Sequence, residues 1–315
     1  MNKGSRNIEF DIARGVAIFL MIFQHVWLII FSGLVKNKIF ENIAFFSGTV
    51  LVAPVFLFLM GASLTYSRRN SACDLCRRGF QLIILGYALS ALRFFLPLLL
   101  CRYLGLITNP EDVIYKFPLI NYLLEVDILQ VAGLSLLGIA FLKWRQIKMS
   151  NYLIIAFVVA LVSPVLSQIN LSSSVFFYLL SPFFGADRYV VFPFFPWFVY
   201  SLVGFYFGSL LKSTENVREF YSSLGVKMVP LILLGSFFLF IGYDFQELSY
   251  THHGIGPSLL FIVAVIYWLG IIHFNYHRLS PKIISTLTLW SKYVTPIYVV
   301  QWLLIAWTAI LINIK

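Results

Sequence analysis

Charge is scarce in this chain. Only 11% of its 315 residues are Asp, Glu, Lys or Arg, while 60% are hydrophobic. Soluble domains carry about 25% charged residues, so there is too little polar surface here for a soluble globular protein. No hydrophilic stretch is long enough to form a second domain, and residues 1–315 read as a single transmembrane domain. Three cysteines exclude a disulfide framework, and Cys73-Asp-Leu-Cys76 has redox spacing without a thioredoxin-like context. A phosphate loop, a Gly-x-Ser-x-Gly elbow and a His-Glu-x-x-His zinc helix are all missing. So are heptads, low-complexity tracts and obvious internal repeats. The net charge is +10, but the Lys and Arg sit in short loops between apolar runs rather than in a water-facing cluster. Nucleic-acid binding is thereby excluded as the main function.

What the chain has in abundance is apolar runs. A helix needs about 20 mostly apolar residues to cross the hydrocarbon layer. Nine runs qualify: Gly15–Ile30, Val50–Tyr66, Phe80–Cys101, Val126–Leu142, Tyr152–Leu166, Val190–Leu211, Met228–Tyr243, Pro257–Phe274 and Tyr293–Ile312. The stretch Asn170–Phe184 is short for a span, so the count is nine or ten. The expected fold is an all-α polytopic helical bundle. With the N-terminus in the cytoplasm, sixteen of the 23 Lys and Arg fall on inner segments and six on outer ones. That alternation supports both the count and the orientation. The first apolar stretch is too long for a signal peptide and no cleavage site follows it, so it is expected to stay.

In a bilayer the informative residues are polar, because a charge near its centre costs at least ~2.5–3.5 kcal/mol. Arg14 and His25 are eleven residues apart. That spacing puts both on one helix face, about 16 Å apart along the axis. Asp11 lies one turn before Arg14 and can pair with it. One reading makes Arg14 an interfacial anchor and His25 a packing residue. The other makes Arg14 a phosphate-binding mouth and His25 a general base or nucleophile near the midplane.

Arg93 lies well inside the third span, and Asp127 opens the fourth directly after Glu125 and Val126. An Arg93–Asp127 ion pair is the simplest account, since buried charges are usually paired. The alternative has them line an outer acceptor cavity. Arg68, Arg69, Arg77 and Arg78 cluster in one inner loop, as solvated anchors or as phosphate ligands. His252 and His253 share an outer loop without a Cys or third His nearby, so they are expected to contact an acceptor and not a metal. His273 and His277 read as interfacial. Trp197 ends the aromatic run Phe192-Pro-Phe-Phe-Pro-Trp, a membrane-interface belt by default and a further acceptor-side candidate. Gly204 and Gly208 have the spacing of close helix packing.

Several of these motifs resemble a known superfamily. Asp11-Ile-Ala-Arg14-Gly15-Val-Ala with His25 resembles the first span of transmembrane acyltransferases, and Ala53-Pro54 through Gly61 looks like their second. Val126-Asp127-Ile-Leu-Gln130, Phe192 through Trp197 and Gly256-Pro257-Ser258 are similar to elements of the bacterial relatives of heparan-alpha-glucosaminide N-acetyltransferase. Ser291-Lys-Tyr293 through Tyr298-Val-Val-Gln301 looks like the superfamily's last span. Acyltransferase family 3 is also similar, although that branch often carries His near the position of Gln301.

The resemblance implies an enzyme in the cell membrane, with a bacterial plasma membrane as the expected location. It would move an acetyl group from cytoplasmic acetyl-CoA to an amine or hydroxyl of a glycan or amino-sugar acceptor. By that carry-over Arg14 contacts the donor and His25 is catalytic. The reading of the residues adds Asp127 as a second catalytic candidate, Arg68, Arg69, Arg77 and Arg78 as further donor contacts, and Arg93, His252, His253 and Trp197 as acceptor-side candidates. A homodimer is left open. The rival readings are a transporter or flippase using the same polar residues as a path, and a membrane assembly subunit that does not depend on His25.

Overall fold

Backbone polar groups in a bilayer must be satisfied within the chain, which leaves apolar runs little choice but helix. The computed structural model describes residues 7–31, 38–110, 113–114, 118–169, 174–185, 189–241 and 250–314. Among them the helices in order are α1 (Ile8–Val26), α2 (Lys38–Leu51), α3 (Ala53–Leu64), α4 (Ala72–Ser90) and α5 (Leu96–Tyr103). Next come α6 (Leu119–Leu124), α7 (Ile128–Trp144), α8 (Met149–Leu166), α9 (Ser174–Phe184) and α10 (Phe194–Ser213). The remainder are α11 (Val217–Lys227), α12 (Val229–Phe240), α13 (Ile255–Asn275), α14 (Pro281–Lys292) and α15 (Val294–Asn313).

Helix starts follow local chemistry. Asn7 Oδ1 accepts from the amides of Glu9 and Phe10 at the start of α1. Ser71 with Asp74, and Asp127 with Gln130, form reciprocal capping boxes on α4 and α7. Proline occupies the first turn of α3 and α14, where a missing N–H costs nothing.

Seven helical stretches are long and apolar enough to cross a membrane, and two shorter apolar ones, Gly48–Leu64 and Ile128–Trp144, accompany them. These nine coincide one for one with the expected spans, and the chain is a multi-pass membrane protein. Of the tenth candidate, Asn170–Phe184, residues 170–173 lie outside the described residues and the rest forms the 11-residue α9. The third span is one continuous helix, Ala72–Tyr103, that widens over Ala91–Phe95 into a π-helical turn carrying Arg93. One local expectation is corrected. Arg77 and Arg78 lie within α4 rather than in a loop, since the Ser71–Asp74 capping box starts the helix early.

The centre of the bundle is α3 against α10. A Cβ on Gly204 would lie 2.0 Å from the Phe58 carbonyl oxygen, and one on Gly208 would lie 2.5 Å from that of Ala62. The small residues let the two backbones meet, as their spacing implies. A second apolar cluster, including Ile18, Met21, Phe94, Tyr298 and Trp302, joins α1 and α15 to the π-helical turn. One isolated β-bridge pairs Val126 with Val190, with the Val126 amide donating to the Tyr189 carbonyl over 3.1 Å. It fixes the short segment holding Glu125 and Asp127 against the approach to α10.

Candidate active site

Arg14 emerges one turn after Asp11 on α1, with Nη1 3.6 Å from Asp11 Oδ1. The guanidinium also donates to Ser291 Oγ over 3.1 Å, to Ser63 Oγ over 2.9 Å and to the Leu59 carbonyl over 3.3 Å. Ser291 in turn donates to Asp11 over 2.7 Å. Side chains from α1, α3 and α14 therefore hold the cation at the edge of a cavity of about 570 Å³. Ser63, Ser67, Arg78 and Gln81 line the same space.

A second cavity, about 380 Å³, is lined by Gln24, His25, Glu125, Asp127, Tyr250 and Trp302, among others. Met21, Phe56, Ile128 and Tyr298 line both cavities. The two spaces therefore share a collar, and together they run from Arg14 and Arg78 at one end to His25 at the other. That course matches the one-face spacing of Arg14 and His25 along α1.

His25 is held by α15. Its Nδ1 lies 3.0 Å from Gln301 Nε2 and 3.3 Å from Gln301 Oε1, and its ring centroid is 4.3 Å from that of Trp302. The Arg93 guanidinium lies 4.4 Å from the Trp302 ring and is fully buried. The expected Arg93–Asp127 pair is present at 2.7 Å, and Glu125 adds a second carboxylate at 3.0 Å. Asp127 Oδ2 also accepts from the Tyr298 hydroxyl, and Oδ1 accepts from the Ile128 amide. Glu125 is buried as well, with Oε2 facing Arg93 Nη2. With one Arg against two carboxylates, the wall of this second cavity carries an excess of negative charge when both are ionised. The first cavity instead holds Arg14 and Arg78.

The remaining expected site residues fall elsewhere. Arg68, Arg69 and Arg77 are exposed and do not line the Arg14 cavity; Arg78 is exposed as well but does line it. Trp197 is completely buried, with its indole donating to the Thr251 carbonyl over 2.9 Å. It is not an interfacial belt residue, because α10 starts inside the bundle and the loop after residue 250 covers it. His253 is also fully buried, bonded through Nε2 to the Tyr200 hydroxyl and through Nδ1 to the Tyr250 carbonyl, each over 2.7 Å. Burial lowers its pKa to about 4, which keeps the ring neutral. Burial also lowers that of His252, whose Nε2 meets the Gly185 carbonyl over 2.7 Å. None of these three lines the His25 cavity, but Trp197 packs on Phe192 and Tyr250, which do.

His273 is tied down by Glu9. Its Nδ1 lies 2.7 Å from Glu9 Oε1, Tyr221 donates to Glu9 Oε2 over 3.0 Å, and the two rings stack at 4.9 Å. This cluster anchors the start of α1 to α11 and α13. Sequence reasoning also missed the roles of Tyr298, Gln301 and Trp302. Their signal was a pair of polar side chains three apart on one face of the last span. No group of three His, Cys, Asp or Glu among the described residues is arranged to hold a metal ion.

A family model described as heparan-alpha-glucosaminide N-acetyltransferase, catalytic, matches residues 6–255. The chain belongs to this family. The match takes in Arg14, His25, Arg93, Glu125 and Asp127 and stops before α14 and α15. The shared activity is that of a membrane acetyltransferase, and both cavities depend on residues within the matched region. No curated protein and no solved structure matches the chain.

Proposed function

We propose that the chain transfers acetyl groups from acetyl-CoA to an amine or hydroxyl of a sugar or glycan acceptor, with His25 as catalytic base or acyl carrier. The observation that carries this reading is the shared collar between the Arg14 cavity and the His25 cavity. An extended pantetheine arm reaches about 15–20 Å, a chain-length estimate, and the helix rise separates Arg14 from His25 by about 16 Å. Coenzyme A phosphates held by Arg14 and Arg78 would therefore put the thioester beside His25. The exposed Arg68, Arg69 and Arg77 add positive potential at the same end and draw in an anionic donor. The positive-inside distribution makes that end cytoplasmic.

In the direct route the acceptor nitrogen or oxygen bonds to the acetyl carbonyl carbon and the C–S bond breaks. His25 takes the proton from the acceptor and returns it to the departing thiolate. In the two-step route His25 first carries the acetyl group. Asp127 already accepts from Arg93, Tyr298 and the Ile128 amide, so its role is to hold those groups. Glu125, paired with Arg93, lines the His25 cavity and would meet the acceptor there. Arg93 keeps both carboxylates in place.

The test is purified protein with acetyl-CoA, read by thermal shift, with acetyl transfer to amino-sugar and hydroxyl acceptors alongside. Stabilisation by acetyl-CoA in wild type, weakened in Arg14→Ala, supports the donor site. His25→Ala is expected to keep donor binding and lose transfer. Full transfer by His25→Ala would sink the assignment, and no donor binding by folded wild type would favour the transporter reading.

A further inference from the structure

The one polar partner that His25 finds among the described residues is the side-chain amide of Gln301. Gln301 is buried, 6% exposed, and its position on α15 is one turn beyond Tyr298. A neutral imidazole has one N–H and one lone pair, and which nitrogen carries the proton is set by the bond the other makes. A histidine that takes a proton through Nε2 must carry hydrogen on Nδ1. That form needs an acceptor at Nδ1, and Gln301 Oε1 stands 3.3 Å away. The opposite form, with hydrogen on Nε2, needs a donor at Nδ1, and Gln301 Nε2 stands 3.0 Å away. Turning one amide by half a rotation therefore exchanges a ring with its lone pair on Nε2, open to a proton from that side, for one with its lone pair on Nδ1, which is not.

We propose that Gln301 is the positioning residue of this site, setting the tautomer and orientation of His25 through Nδ1. The proposal rests on the reading of His25 as the base. Trp302, the next residue, fixes the plane of the ring by contact at 4.3 Å, so Gln301 needs only to select the proton position. A neutral amide suits this place because charge is already supplied nearby. Glu125 and Asp127 face the cavity with Arg93 as their one cationic partner, and Tyr250 and Tyr298 complete its titratable lining. A third carboxylate against Nδ1 would hold the imidazolium and delay return of the proton. An amide can follow the ring through the cycle without changing the charge of the site.

Three variants test this in the full-length purified protein: Gln301→Met, which keeps the volume and loses both polar atoms, Gln301→Glu, which can only accept, and His25→Ala. Gln301→Met is expected to lower kcat on the order of 10- to 100-fold, the size seen when the partner orienting a metal-bound histidine is removed. KM for acetyl-CoA should stay within about twofold, because Gln301 is absent from the donor-side lining. Gln301→Glu is expected to retain more activity than Gln301→Met and to move the acidic limb of the rate profile to higher pH by roughly a unit, since an added negative charge favours the protonated ring. A purely structural role would leave that limb where it is in wild type. Wild-type kcat in Gln301→Met, or an unmoved limb in an active Gln301→Glu, overturns the proposal. If Gln301→Met fails to fold, the pH profile of Gln301→Glu decides alone. Inactivity of His25→Ala beside normal Gln301 variants would remove only this inference, whereas an active His25→Ala would remove the base assignment beneath it.

Discussion

The Tyr298 hydroxyl donates to Asp127 Oδ2 over 2.5 Å, and Tyr298 is also one of the four residues that line both cavities. The collar between the Arg14 and His25 cavities is thus tied to the buried Arg93 cluster. Tyr298→Phe removes one hydrogen bond to a charged group, expected to cost about 1.5–3 kcal/mol. Thermal unfolding in detergent should show a lower midpoint. Transfer should fall less than in His25→Ala; an equal loss would make Tyr298 a direct participant in the chemistry.

Arg93 is the cation between two buried carboxylates, at 2.7 Å and 3.0 Å. Breaking a buried pair from one side leaves an uncompensated charge and costs roughly 3–5 kcal/mol. Arg93→Leu should therefore unfold well below wild type. Adding Asp127→Asn and Glu125→Gln to that variant should recover part of the loss. Failure of the triple variant to gain over Arg93→Leu would argue that packing against Trp302 and Phe94, not charge, is what Arg93 supplies.

The four arginines near the start of α4 should not behave alike. Arg78 lines the Arg14 cavity, whereas Arg68, Arg69 and Arg77 are exposed away from it. Arg78→Ala is expected to weaken acetyl-CoA binding by about 10-fold or more, in keeping with a lost charge-assisted contact. Alanine at the other three should give small effects that fade with salt, as exposed charges do. Calorimetry at low and physiological ionic strength separates the two cases. Equal, salt-sensitive losses at all four sites would reduce Arg78 to one more member of a diffuse patch.

His253 predicts a pH dependence of stability. Its pKa is lowered by burial from 6.5 to about 4 in the folded protein. Between those values the unfolded chain binds the proton and the folded one does not. Stability is therefore full above about pH 6.5 and is lost as pH falls toward 4, by up to about 3 kcal/mol. His252 shifts in the same direction and adds to the slope. The unfolding midpoint followed from pH 7.5 to 4.5 should drop less steeply in His253→Gln than in wild type. Parallel curves would show that His253 is not among the groups responsible.

Much of the architecture was legible without coordinates, and the reason lies in the solvent. A bilayer forces apolar runs into helices and penalises stray charge, so the apolar helices of a multi-pass bundle, the Arg93–Asp127 pair and the Asp11–Arg14 pair could all be read from composition and spacing. Gly204 and Gly208 spoke for a close helix contact, and α10 meets α3 there. The first span also showed Arg14 and His25 on one face, since both belong to a single helix with fixed periodicity.

What one helix cannot reveal is its neighbours. Trp197 and His253 looked like outer-surface residues because aromatic and His side chains near a span's end usually are, and only the packing of the loop after residue 250 over α10 buries them. The partners of His25 come from a helix 276 residues later in the chain, and those of Glu9 come from α11 and α13. Arg78 was separated from its three neighbours by the side of α4 that faces the cavity. The sequence by itself determined that this is a polytopic helical protein with a cation and a histidine aligned along its first span, because hydrophobicity and helical period act locally. Only the tertiary structure decided that two cavities meet between them and that Gln301 addresses the histidine, because those depend on which helices pack side by side.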